Sequence, residues 1–297
     1  MNADYITPVV TAFDSKGNLD TDALKAIYDH LINNGIKDIV ILGSIGEFFA
    51  LSSDVKKELI KFAVKYINNR AKVIAGTAGA NMAETVELTK YAFQHGADAV
   101  IVISPYYFSF NDNSVEEYYD MVAENCPGDL YLYNFPDRTG YDVSPGVTLN
   151  LVRKHKNIVG YKDTLAGMDH TRELIKLIKP EFPEFKIYSG FDDNFAHNVL
   201  SGGDGCIAGL SNVFPKLCVS WAKAIEENDM EKVSDIQQTV NILMDIYNVG
   251  RPFVPYIKKA MQITGLPIED FCTFPMPKVT ESETEKIRSI LEKANML

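Results

Sequence analysis

The chain is poor in the residues that staple or metallate a small fold. Its four cysteines, Cys126, Cys206, Cys218 and Cys272, lie far apart with no C-x-x-C, and its five histidines form no H-x-x-x-H pair. That argues against a disulfide framework and a zinc site. Basic residues are also short, 29 against 40 acidic ones for a net charge of −11. Binding a nucleic-acid backbone relies on a basic footprint, so no such partner is expected, and any anionic small molecule must be held by local positive features. Nowhere is there a run of about 18 apolar residues, the length that spans a bilayer. The start, Met1 to Pro8, has no basic segment followed by a long apolar one. These absences give the expectation of a cytoplasmic protein without a membrane partner. Low-complexity segments and flexible linkers are missing too. What remains is an ordinary globular composition, 46% hydrophobic over 297 residues, which is ample for a large core.

One unit keeps repeating. Short apolar runs alternate with amphipathic stretches: Ile6–Ala12 then Thr21–Asn33, Asp38–Leu42 then Asp54–Asn68, Lys72–Gly76 then Met82–His95, and Ala99–Ile103 then Ser114–Glu124. The pattern continues with Leu130–Asn134 then Pro145–Lys154, Ile158–Lys162 then Met168–Ile178, Lys186–Ser189 then Asp193–Leu200, and Gly205–Ala208 then Pro215–Glu226. Runs such as Ile39-Val40-Ile41-Leu42 are continuously apolar, as parallel strands covered on both faces should be. About eight βα units close naturally into a (β/α)8 barrel, an α/β fold, here over residues 1–228. From 229 to 297 the periodicity is helical, interrupted near Gly250-Arg251-Pro252 and Phe274-Pro275-Met276-Pro277, and is expected to form a C-terminal helical extension packed on the barrel. Gly35 and Gly96 sit where helix C-terminal glycines belong, Asn81-x-x-Glu84 resembles a capping box, and Ser53-x-x-Lys56 reads as helix-cap chemistry.

Lys162 is the residue out of place. It ends the buried strand Ile158–Lys162, where an ammonium either finds a carboxylate, with Asp163 and Asp192 as candidates, or sheds its proton and becomes a nucleophilic amine. The preceding strand ends in Tyr133, a proton-transfer group, and Arg138, an anion clamp, follows shortly after. Together they suggest imine chemistry on a keto acid. Barrel sites lie at the C-terminal ends of the strands, and polar or unusual residues gather there: Gly43-Ser44-Ile45-Gly46-Glu47, Ser104-Pro105-Tyr106-Tyr107, Gly190-Phe191-Asp192-Asp193 and Gly209-Leu210-Ser211-Asn212.

Gly-Ser-Ile-Gly-Glu, Ser-Pro-Tyr-Tyr, Tyr-Asn-Phe-Pro and Tyr-Lys-Asp-Thr, in that order, resemble the dihydrodipicolinate synthase and N-acetylneuraminate lyase family of pyruvate-dependent aldolases over essentially the whole chain. The resemblance implies a Schiff-base lysine at Lys162, proton relay through Tyr133, a bridging Ser44 and a Tyr107 contributed by the neighbouring subunit of a homotetramer built as a dimer of dimers. It implies no metal or organic cofactor, only the covalent imine of Lys162. Ile45 replaces the family's usual second hydroxyl residue, leaving Ser44 and backbone N–H groups to hold the keto-acid carboxylate. Arg138 stands where dihydrodipicolinate synthases bind the carboxylate of aspartate semialdehyde. Gly190, Asp192 and Thr164 match positions that bind substrate hydroxyls in sialic acid lyases, and Ile207 is counted with the substrate-binding residues. Tyr-Asn-Phe-Pro, Lys-Asp-Thr and Gly-Phe-Asp-Asp resemble the branch that cleaves 2-keto-3-deoxy sugar acids. The expected activity is therefore reversible cleavage of a gluconate-type sugar acid into pyruvate and an aldehyde, with a small 2-oxo acid and an aldehyde as the only ligands. Dihydrodipicolinate synthase is the second reading, N-acetylneuraminate lyase the third, and a keto-acid-binding homologue without turnover the non-enzymatic one.

Overall fold

In the computed structural model, which describes residues 2–297, eight parallel strands close in chain order into one barrel. They are β1 (Asp4–Pro8), β2 (Asp38–Ile41), β3 (Lys72–Gly76), β4 (Ala99–Ile103), β5 (Asp129–Asn134), β6 (Ile158–Asp163), β7 (Lys186–Ser189) and β8 (Gly205–Ile207). β1 pairs with β2 on one side and, through Asp4↔Gly205, Tyr5↔Cys206 and Ile6↔Ile207, with β8 on the other, which seals the cylinder. The crossovers carry α1 (Thr21–Asn33), α2 (Ser53–Ile67), α3 (Met82–Gln94), α4 (Asp112–Glu124), α5 (Pro136–Thr139), α6 (Pro145–Lys154), α7 (Asp169–Ile178) and α8 (Phe195–Leu200), and α9 (Pro215–Glu226) follows β8.

Both strand faces are covered, one by the barrel interior and one by the helices, and so all five residues of β4 are buried. The helices are one-sided. In α1, Leu24, Ile27, Tyr28 and Leu31 recur on one stripe and are buried, while Asp20 caps the helix by accepting from the N–H groups of Asp22 and Ala23.

Strand one begins and ends earlier than the apolar run Ile6–Ala12 suggests. Val9 still donates its N–H to the Val40 carbonyl at 2.9 Å, but Val10 to Ala12, also buried, leave the ladder, because Asn212 bonds the Val10 N–H at 3.1 Å and the Pro8 carbonyl at 2.8 Å, and the chain then turns through an antiparallel bridge between Phe13 and Leu19. An apolar run reports burial, and here burial continues past the strand. The Ser53-x-x-Lys56 reading also changes. Ser52 is the cap, whereas Ser53 Oγ and Lys56 Nζ both bond the Glu84 carboxylate, at 2.7 and 3.0 Å. The other oxygen of Glu84 reaches back to the Ala80 N–H, one residue before the Asn81 cap.

Helices α10 (Met230–Leu243), α11 (Val254–Ile263) and α12 (Glu281–Lys293) follow, with α10 packed on α9 and α11 on α12. The expected division at 228/229 falls in the turn before α10. No helix among the described residues is long and apolar enough to cross a membrane.

The β7–β8 seam has only two register pairs, Tyr188↔Gly205 and Ser189↔Cys206. Asn198 of α8 reinforces it, donating Nδ2 to the carbonyls of Ile187 at 2.9 Å and Gly205 at 2.7 Å. Asn198→Ala should lower the unfolding free energy by about 2 to 3 kcal/mol, through two lost buried hydrogen bonds and an under-satisfied carbonyl. Urea unfolding measures this, and an unchanged midpoint would contradict the role given to Asn198.

Candidate active site

Register decides which side chains meet. Tyr133 is the Cα partner of Lys162 between β5 and β6, and Lys162 is the partner of Tyr188 between β6 and β7. Partners in a ladder project to the same face. Lys162 is accordingly buried, 5% exposed, with Nζ 4.3 Å from the centre of the Tyr133 ring.

Neither candidate carboxylate reaches it. Asp163, one residue on, points to the opposite face, where it accepts from Asn134 Nδ2 at 2.9 Å, Thr171 Oγ1 at 2.7 Å and His170 Nδ1 at 2.9 Å. Asp192 accepts from the Tyr5 hydroxyl, the Leu210 N–H at 3.0 Å and the Tyr247 hydroxyl at 3.0 Å. Among the described residues Lys162 has no ion pair, and the reading of it as a structural, salt-bridged lysine falls away.

Ser44 stands in the turn after β2, its Oγ 3.2 Å from the Tyr133 hydroxyl. The turn closes on itself through Gly46 N–H to the Gly43 carbonyl at 3.0 Å and Glu47 N–H to the Ser44 carbonyl at 3.2 Å. The N–H groups of Ser44 and Ile45 make no hydrogen bond among the described residues. Two successive free N–H groups form a concavity suited to an anion. Ser44, Ile45, Tyr133, Lys162, Thr164, Gly190 and Ile207 line one cavity of about 580 Å³. Arg138 lies at its rim on α5, a helix that the sequence reading did not anticipate, with its guanidinium 5.0 Å over the Phe135 ring and without an ion pair. The Thr164 hydroxyl is buried without a hydrogen-bond partner. Gly190 makes room for it, since a Cβ there would lie 1.9 Å from Thr164 Oγ1.

Two expectations change. Asp192 borders the cavity, but both its oxygens are committed to Tyr5, Leu210 and Tyr247, so it does not fit the expected role of accepting substrate hydroxyls. Burial raises its pKa, only partly offset by those three donors. It joins β1, β7 and the extension. Tyr107 does not line the cavity of its own chain. It projects outward, 88% exposed, at φ 91°, a left-handed value that few non-glycine residues adopt.

The sequence reading missed what the extension contributes. Tyr247, Asn248, Arg251 and Phe253 complete the wall between α10 and α11. The Gly250-Arg251-Pro252 interruption in an otherwise helical stretch was the available signal. Asp137, Phe191 and Gly209 were missed as well. No group of three or more metal-binding side chains occurs among the described residues.

A closed parallel barrel with an ion-pair-free lysine facing a tyrosine at its strand ends has the form of a barrel lyase. Residues 1–294 match the model of the Dihydrodipicolinate synthetase family. The chain belongs to that family, and with it to the pyruvate-dependent carbon–carbon lyases. It is 34% identical to the putative 2-dehydro-3-deoxy-D-gluconate aldolase YagE of Escherichia coli K12, over 98% of this chain and 96% of that one. The crystal structure of YagE in complex with pyruvate superposes with a TM-score of 0.97 over 99% of both chains at 33% identity. The probable 2-dehydro-3-deoxy-D-pentonate aldolase YjhH of the same organism is 34% identical, over 98% of this chain and 97% of that one. The 4-hydroxy-tetrahydrodipicolinate synthase of Kosmotoga olearia is also 34% identical, over 97% of each chain.

Behind Lys162, His170 offers Nδ1 to the Asp163 carboxylate and Nε2 to the Val143 carbonyl at 3.1 Å. Both partners accept, so protonating the ring lets both nitrogens donate. Burial alone would lower its pKa, but the Asp163 carboxylate outweighs this, with Asp142 and the Val143 carbonyl adding to it, and the net direction is upward. A raised histidine pKa contributes stability that is complete below the unfolded value, about 6.5, and is lost as pH rises through the folded value. The melting temperature of the wild type should therefore exceed that of His170→Gln most below about pH 6.5, and the gap should narrow as pH rises above it. A gap that widens with pH would refute the upward shift.

Proposed function

We propose that the protein is a Schiff-base-forming (class I) aldolase that reversibly cleaves a 2-keto-3-deoxy sugar acid of the gluconate type into pyruvate and an aldehyde. The carrying observation is the buried Lys162 amine, free of any ion pair and 4.3 Å from the Tyr133 ring, at the base of a cavity that also holds two unbonded N–H groups. The N–H groups of Ser44 and Ile45 and the Ser44 hydroxyl receive the carboxylate of the keto acid, which brings its carbonyl carbon to Lys162. The neutral amine adds to that carbon, and the carbonyl oxygen leaves as water after taking one proton from the amine and one from the Tyr133 hydroxyl, giving an iminium and leaving Tyr133 as the phenolate. Tyr133 takes the proton of the C4 hydroxyl, the C3–C4 bond breaks, and its electron pair moves into the iminium to form an enamine as the aldehyde departs. Protonation of the enamine at C3 and hydrolysis of the imine release pyruvate and regenerate the amine. The covalent imine of Lys162 takes the place of a cofactor.

The buried, unpartnered Thr164 hydroxyl, kept in place by Gly190, supports a polyol substrate, as does the likeness to YagE and YjhH. Tyr107 acts in the neighbouring copy of a homotetramer. Its outward side chain and left-handed backbone support this, because strain of that kind is kept where a contact requires it. The second reading is condensation of pyruvate with aspartate semialdehyde, favoured by the unpaired Arg138 guanidinium at the rim and by the likeness to the Kosmotoga synthase.

Borohydride reduction followed by intact mass and peptide mapping tests the proposal. Pyruvate and 2-keto-3-deoxygluconate should both leave an adduct on Lys162, and Lys162→Ala should carry none. An adduct from pyruvate alone favours the semialdehyde reading, and none at all removes the aldolase. Thr164→Val should still trap pyruvate but lose about tenfold or more in kcat/KM for the sugar acid, the cost of one hydroxyl contact in a buried site. Unchanged turnover would exclude Thr164 from substrate recognition.

A further inference from the structure

The turn that carries Ser44 and Ile45 is flanked by two non-glycine residues in the left-handed region, Leu42 at φ 56° and Glu47 at φ 62°. Such residues persist only where their surroundings over-determine the backbone. Leu42 is held by the barrel, whose wall it shares. Glu47 is held by something more specific. Its side chain is fully buried and bonds Lys258 of α11, equally buried, at 2.5 Å. Its second oxygen accepts from the Thr273 N–H at 2.7 Å and the Thr273 hydroxyl at 2.8 Å. Lys258 in turn donates to the Phe271 carbonyl at 2.7 Å and lies 4.8 Å over the Phe13 ring.

Every one of these contacts except Phe13 comes from the C-terminal extension. The turn is also tethered to the barrel by Thr11 Oγ1, which donates to the Gly46 carbonyl at 2.7 Å, and by the contact of Ser44 Oγ with the Tyr133 hydroxyl at 3.2 Å. The carboxylate is thus fastened on both oxygens, two residues beyond the N–H pair that would meet the keto acid. A hydrophobic pair could fill the same space and stabilise the fold as well, since burying two charges gives little net stability. An ion pair with three further hydrogen bonds does what an apolar contact cannot, because its directed bonds fix one orientation of the Glu47 backbone.

We propose that the buried Glu47–Lys258 pair is a positioning device through which the C-terminal extension holds the Gly43–Glu47 turn in the conformation that binds the keto-acid carboxylate. Glu47 and Lys258 touch no reacting atom. They act through the Ser44 and Ile45 N–H groups, and the inference rests on the imine reading of Lys162.

The test compares wild type, E47Q, K258M and the double variant E47Q/K258M, in which neither charge is left unpaired. Two quantities are read: the pyruvate concentration that half-saturates the borohydride-trapped Lys162 adduct, and the amide exchange of residues 43–48 by mass spectrometry. In the double variant the half-saturating concentration should rise about tenfold, equivalent to one or two weakened hydrogen bonds to the carboxylate. The adduct formed at saturation should stay complete, and exchange in the turn should quicken while the melting temperature lies nearer to wild type than in either single variant. A role confined to overall stability would leave half-saturation unmoved in a folded double variant. That result, or unchanged exchange in the turn, overturns the positioning role alone. No adduct in the wild type overturns the imine reading and this proposal with it.

Discussion

Along β6 successive side chains leave the strand on opposite faces, so the amine of Lys162 enters the barrel while the carboxylate of Asp163 leaves it. This separation underlies the site. Had the two groups shared a face, the nearest acid would hold the lysine in an ion pair, away from a substrate carbonyl. Instead Asp163 is occupied in the helical layer by Asn134, Thr171 and His170, and Lys162 faces the Tyr133 ring. The same alternation on β5 sends Tyr133 inward and Asn134 outward, where Asn134 donates to both Asp163 and Asp142. One face of two adjacent strands therefore presents the reacting groups, and the other locks those strands to the helices behind them.

The buried acids of this acidic chain serve as fasteners. Glu47 binds Lys258 and Thr273, and Asp192 binds Tyr5, Leu210 and Tyr247. Each joins a loop at the strand ends to the C-terminal extension, one after β2 and the other after β7. The extension thus forms part of the cavity, and its interruption at residues 250–252 lies over the mouth because α10 and α11 are held from both sides. With these carboxylates engaged, the cavity presents the Lys162 amine, the free N–H groups of Ser44 and Ile45 and the Arg138 guanidinium, with the exposed Asp137 carboxylate beside the last. Such a set suits an anionic, hydroxylated ligand despite the net charge of −11.

Small residues set the shape of that cavity. Gly190 admits the Thr164 hydroxyl, and at Gly209 a Cβ would come within 2.6 Å of the Tyr247 hydroxyl. Ile45 adds an apolar surface next to Gly209 and leaves its own N–H free, so recognition of a carboxylate there depends on backbone geometry. The Ile45 side chain offers no hydrogen bond, and the conformation of the turn matters accordingly.

The barrel was legible because its signal is periodic: continuous apolar runs separated by amphipathic stretches can bury their faces in few ways, and each strand end then falls at one rim. That reasoning reached Lys162, Tyr133 and Arg138, and the family resemblance added Ser44, Thr164 and Gly190; all six border one cavity. Periodicity misplaced β1, because apolar residues continue past the last ladder bond, and the resemblance assigned Asp192 to substrate, because a matching position cannot tell an acid that waits for a ligand from one already bonded. Tyr247, Asn248, Arg251 and Phe253 lay beyond reach, since no local pattern says which barrel loops a distant helix will cover. The sequence by itself determined the repeating βα unit, the strand-end residues and the family. Only the tertiary structure decided which carboxylates are spent on fastening and which N–H groups stay free, because those outcomes depend on contacts between residues as far apart as Glu47 and Lys258.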